Sequence, residues 1–132
     1  MVILDLFKKA AKKGSSDAEI VVGLFYFFGI IPSQNQYTVG LPKQFRDIEL
    51  GSKLIREGIK KRCAYAEPVP GNDGVYLRYV SGAGRIWHFY RDGQNDIDAS
   101  GKFYPVIKPD NRLEKEWHDL DKQCKQSGAT TD

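Results

Sequence analysis

Ala18-Glu19-Ile20-Val21-Val22-Gly23-Leu24-Phe25-Tyr26-Phe27-Phe28 is the stretch on which the architecture turns. Beyond Glu19 it carries no charge, so it offers no face to water and belongs at the centre of a fold. Its β-branched and aromatic residues suit a buried strand as well as a helix. Ser16 and Glu19 decide for a helix. In a capping box the serine side chain satisfies one free backbone donor and the glutamate reaches back to another. Gly29 and Pro32 then end the element.

Working outward, Val2 to Lys13 reads as an amphipathic helix, with Ile3, Leu6, Phe7, Ala10 and Ala11 at helical spacing. Lys8, Lys9, Lys12 and Lys13 cover its other side, and Gly14 stops it. Downstream, Pro42 opens a third helix whose inner face is Phe45, Ile48, Ser52, Ile55 and Ile59. Gly51 and Gly58 lie seven residues apart on one side of it. Each costs a helix about 1 kcal/mol relative to alanine, so together they predict another element packed closely against that side.

The pattern changes at Glu67, where Pro68, Pro70, Gly71, Asn72, Asp73 and Gly74 read as a turn-rich connection. Val75 to Val80 and Arg85 to Arg91 read as two strands joined by Ser81-Gly82-Ala83-Gly84. In the second, Ile86, His88 and Tyr90 alternate with Arg85, Trp87, Phe89 and Arg91. A third strand, Lys102 to Lys108, follows Ser100-Gly101. The last element is a helix from Arg112 to Lys125, capped by Asn111 and Glu114, with Leu113, Trp117, Leu120 and Cys124 as its apolar stripe. Three helices, a three-stranded antiparallel meander and one closing helix make the α+β class.

The chain has 132 residues, enough for one domain with a real core. Its 41% hydrophobic and 28% charged content is ordinary for a globular protein, so disorder is expected only at the end. The expected division is one compact domain over residues 1–125 and a disordered tail over residues 126–132. The net charge of +3 permits nucleic acid or an acidic membrane as partner without demanding either. Cys63 and Cys124 fall on apolar helix sides, where free thiols act as small hydrophobes. Two cysteines are fewer than a secreted disulfide framework usually carries, which favours reduced thiols and a cytoplasmic location. Met1 to Gly14 lacks the shape of a signal peptide, and Ile20 to Ile31 is too short to span a bilayer.

Leu6 to Glu19 and Leu54 to Glu67 align without gaps at a spacing of 48, each a basic amphipathic helix end followed by Ala-Glu. Phe7 to Gly29 contains Lys9-Ala10-Ala11, Gly14, Asp17-Ala18-Glu19 and the spaced Gly23, Tyr26 and Gly29. This stretch resembles one Sel1-like repeat, a helical hairpin of the tetratricopeptide type. The resemblance implies a helical hairpin whose alanines and glycines allow close packing. It also implies the protein-binding concave surfaces that arrays of such repeats form. The second copy runs into Pro68 and Pro70, which do not continue a helix.

Several patterns bear on chemistry. Asp96, Asp98, Ser100 and Gly101 follow the opening of a calcium loop, but Ile107 stands where its closing carboxylate belongs. The competing reading is a polar turn. His88 with Arg85, Tyr90 or Arg91 would supply the base and the cations of a small metal-independent ribonuclease or toxin-like domain. On a regular strand, however, His88 and Arg85 face apart. His118 and Asp121 share a helix face but are too few to hold a metal. Lys60, Lys61 and Arg62 beside Cys63 would make a thiolate more reactive. Lys53, Arg56, Lys60, Lys61 and Arg62 form a basic helix suited to unspecific nucleic-acid binding. No motif for a cofactor is present. The expectation that follows is a non-enzymatic interaction module of adaptor, immunity or regulatory type whose partner is another protein. It predicts an exposed apolar or aromatic patch.

Overall fold

The computed structural model describes residues 2–29 and 46–131. Pro32, Pro42 and Phe45 lie outside them, so their expected roles at helix ends and on a helix face have no counterpart below. The elements in order are α1 (Val2–Lys12), α2 (Ser16–Phe28), α3 (Ile48–Lys61), β1 (Ala64–Gly71), β2 (Gly74–Ser81), a 3-10 turn (Ala83–Arg85), α4 (Trp87–Asp92), β3 (Gln94–Ile97), β4 (Phe103–Ile107) and α5 (Asn111–Gln126). The class is α+β.

The deciding stretch is a helix, and it is central. Ile20, Leu24, Phe25 and Phe27 of α2 are all but fully buried. The cap that starts it is Ser15, not Ser16: its hydroxyl accepts a hydrogen bond from the Ala18 N–H at 3.2 Å. Glu19 takes no part in capping and pairs with Lys61 of α3 instead. Gly29 ends the helix with φ 72°, a left-handed conformation that costs other residues more, and its N–H reaches the Phe25 carbonyl.

The glycine spacing in α3 has the expected consequence. A Cβ added to Gly51 would sit 2.6 Å from the Gly23 carbonyl oxygen and from the Phe27 nitrogen. One added to Gly58 would sit 2.7 Å from a side-chain carbon of Ile20. The α2 and α3 backbones therefore touch, and Ile55 is sealed between them. Trp117 and Cys124 of α5, Ile86 and Tyr90 of the central segment, and Ile107 of β4 complete the interior.

The sheet differs from the expected three-stranded meander. There are two separate antiparallel pairs, β1 with β2 and β3 with β4. The segment Arg85 to Arg91 is not a strand but a 3-10 turn running into α4. Its alternating pattern also fits i, i+3, i+4 spacing, and the fold uses that reading: Ile86 and Tyr90 point inward. The Ser81 hydroxyl accepts from the Gly84 N–H and starts the turn, and Gly93, with φ 75°, closes α4.

Conversely, the proline-rich connection is strand β1. Its register pairs Pro68 with Leu77 and Pro70 with Val75. Both prolines occupy the non-hydrogen-bonded positions of the ladder, where the missing N–H would have pointed away from β2. The cap of α5 is Asp110, whose carboxylate accepts from the N–H groups of Arg112 and Leu113, not Asn111.

One further expectation fails. Cys63 and Cys124 are joined in a disulfide that ties the start of β1 to α5. Neither sulfur is a free thiol, so neither the reducing compartment expected from free thiols nor a reactive thiolate at Cys63 keeps its basis. Near the end of the chain, the Tyr79 N–H donates to the Thr131 hydroxyl at 2.7 Å, and the Thr131 N–H to the Tyr79 carbonyl at 3.0 Å.

Candidate functional site

The hairpin of β1 and β2 has a buried root and an open tip. At the root, Ala64, Tyr65, Glu67 and Ser81 are buried. At the tip, Val75, Tyr76 and Leu77 are 73%, 55% and 55% exposed. The cause is reach: the helices pack beside the first residues of β1 and the last residues of β2, leaving the turn beyond them. Ile97, Phe103 and Tyr104 make a second exposed apolar group on the other hairpin.

Between root and tip lies a charged cluster. The register sets Glu67 of β1 directly opposite Arg78 of β2. One Glu67 oxygen accepts from Arg78 at 3.1 Å, and the other from Arg85 at 2.6 Å and from the Tyr65 hydroxyl at 3.2 Å. Arg85 also donates to the Tyr65 oxygen at 3.1 Å. Burial pushes the Tyr65 hydroxyl up to about 12, with Arg85 pulling the other way and Glu67 adding to the rise. Burial works against the charge on Arg85, but Tyr65 and Glu67 outweigh it and hold the guanidinium more firmly protonated.

This cluster borders a polar pocket of about 250 Å³ lined by Arg78, Ser81, Gly84, Arg85, Asp121 and Lys125, among others. Asp121 is only 4% exposed. Its Oδ2 pairs with Lys125 at 3.3 Å, while Oδ1 has no hydrogen-bond partner. Gly84 makes room for it, since a Cβ there would stand 2.7 Å from that oxygen. The Nε of Arg78 is likewise buried without a partner. The sequence marks neither the pocket nor the cluster: Tyr65, Glu67, Arg78, Asp121 and Lys125 are scattered, and only the hairpin register brings Glu67 to Arg78.

Of the residues in the ribonuclease reading, Arg85, Tyr90 and Arg91 each have a polar partner other than His88. His88 lies on α4 with its ring 4.4 Å from Phe89 and 5.8 Å from Trp87. Burial, then Arg91, lowers its pKa below the ordinary histidine value, and Asp92 opposes them. Arg85 serves the Glu67 cluster. The Tyr90 hydroxyl turns to Ser52 of α3. Arg91 pairs with Asp92 at 2.9 Å and lies over the Trp87 ring.

Of the basic helix, Arg56 pairs with Glu116 at 3.3 Å and covers the Trp117 ring, Lys61 pairs with Glu19, and Arg62 lies over Tyr79. Lys53 and Lys60 border a shallow cavity of about 450 Å³ that also holds Glu49 and Glu57. In the Asp96, Asp98 and Ser100 loop, Asp98 accepts from the N–H and hydroxyl of Ser100 and from the Lys102 N–H, which is the geometry of a turn. The His118 ring packs edge-on against Trp87, while Asp121 faces Gly84. Among the described residues no three His, Cys, Asp or Glu side chains converge for a metal, and no helix is long and apolar enough to cross a membrane. Compared with known proteins, the chain matches no family model, no curated sequence and no solved structure.

Proposed function

We propose that this protein is a non-enzymatic interaction module, of adaptor, immunity or regulatory type, that engages another protein through the β1–β2 hairpin. The observation that carries this reading is the run Val75-Tyr76-Leu77, three consecutive apolar residues left in water at the end of an otherwise anchored ribbon. Single exposed apolar residues are ordinary, but here Val75 and Leu77 on one face and Tyr76 on the other leave both faces of a projecting element apolar, which is where partners bind. Tyr76 is an aromatic residue of the kind that interface cores favour.

The test is affinity capture from lysate of the source organism, using the wild-type chain and a variant carrying Val75→Ser, Tyr76→Ser and Leu77→Ser. The reading expects a protein retained by the wild type and lost by the variant, with both giving the same thermal unfolding curve. Capture of the same proteins by both chains, or of none by either, would count against it.

A further inference from the structure

We infer that the outer edge of β2 receives an extended acidic segment of another protein, which adds a strand along Val75 to Leu77 and sets a carboxylate opposite Arg78. This rests on the interaction reading above and names the chemistry of the partner.

The two edges of the ribbon are unlike. The outer edge of β1 carries Pro68 and Pro70 at outward positions, and a proline has no N–H to offer a neighbouring strand. The outer edge of β2 carries no proline. Tyr79 shows which of its backbone groups point outward, because both its N–H and its C=O reach Thr131. In an antiparallel pair that orientation recurs at every second residue, so Leu77 and Val75 point the same way. Thr131 thus already makes one strand-like contact on this edge, at Tyr79, while Val75 and Leu77 nearer the tip are exposed.

Charge selects the occupant. A residue opposite Arg78 on an added strand shares its face of the sheet, with Cβ atoms about 5 Å apart. On the inner side the residue opposite Arg78 is Glu67, and its carboxylate binds the guanidinium. A strand added outward meets Arg78 with the same cross-strand geometry, and the guanidinium also borders the pocket lined by Arg85 and Lys125. Arg78, Arg85 and Lys125 line that pocket with one carboxylate, Asp121, while Glu67 beside it pairs with both arginines, so three cations face two carboxylates. The opposite face of the strand presents Val75 and Leu77, so the partner alternates acidic with aliphatic residues.

The probe is a fluorescein-labelled peptide, Ser-Glu-Val-Thr-Val-Glu-Ser, symmetric so that a glutamate meets Arg78 in either direction. Its binding to the full chain is followed by anisotropy, and the exchange of the Val75 and Leu77 amides by hydrogen–deuterium exchange. The inference expects saturable binding with both amides slowed. It expects affinity at least about tenfold weaker for the peptide with lysine in place of glutamate, because opposed charges become like charges. It expects a similar loss when both valine nitrogens are methylated, because the strand-to-strand donors are gone. Equal affinity for the acidic and lysine peptides, no binding of the acidic peptide, or slowed exchange elsewhere overturns it. So does self-association of the chain alone that protects the same two amides, since the occupant is then a second copy. If the peptide fails while partner capture still depends on Val75, Tyr76 and Leu77, strand addition falls and the interaction reading stands.

Discussion

The α2–α3 pair and the β1–β2 hairpin use similar residues to opposite ends. In the helix pair the backbones meet at Gly23 and Gly51, and isoleucine, leucine and phenylalanine vanish from water around them. In the hairpin, valine, tyrosine and leucine at the tip stay in water although the strands are fully paired. Backbone pairing needs only the neighbouring strand, whereas burial needs a second layer, and no described element reaches the tip. The first region therefore holds the fold, and the second is free to be read by something else.

The sharpest way to break this contrast is Gly51→Ala. The new methyl meets backbone atoms of Gly23 and Phe27, which cannot swing away, so the helices must separate. The expected cost is about 3 kcal/mol, a fall in Tm of about 10 °C by calorimetry. A fall of under about 2 °C would mean the helix pair is not the closed region.

A smaller effect tests the root of the hairpin. Folding raises the Tyr65 hydroxyl from 10.0 to about 12, so between those values the unfolded chain holds fewer protons than the folded one. Stability is therefore complete below the unfolded value and falls as pH rises towards the folded value, by about 2 kcal/mol at most. Urea unfolding at about pH 9 and about pH 11.5 measures the loss, and Tyr65→Phe should remove most of it.

The smallest effect belongs to the tip. Val75→Ser or Leu77→Ser should change stability by no more than about 0.5 kcal/mol in the same urea assay. A larger loss would show that the tip contributes to folding and would weaken its standing as a recognition surface.

Much of the helical half was legible beforehand. Gly14, Gly29 and the Gly51/Gly58 spacing act locally or along one helix, so their meaning survives without knowledge of the partner element. The caps stand one residue before Ser16 and Asn111, because Ser15 and Asp110 are equally good acceptors and spacing alone does not choose between neighbours. The sheet was less legible. Pro68 and Pro70 suit a turn unless the ladder happens to point their nitrogens outward, which depends on Val75 to Val80 pairing back on them. Arg85 to Arg91 is too short for its periodicity to separate strand from helix. Of the candidate site, the tip residues were visible only as strand residues, and their exposure depends on how far the helices reach. Arg85 stands out in the sequence for a different chemistry, beside His88. Its partners Tyr65 and Glu67 are 20 and 18 residues away and were invisible as a cluster.

The bond between Cys63 and Cys124 spans a sequence separation of 61 residues and encloses both hairpins, α4 and nearly all of α5. That portion of the chain is a closed covalent ring from which the N-terminal helices hang as a branch. A protease that cuts at the exposed Asn72-Asp73 turn opens the ring but releases no fragment while the sulfurs stay joined. The molecule can thus carry a nicked hairpin tip and still migrate as one piece.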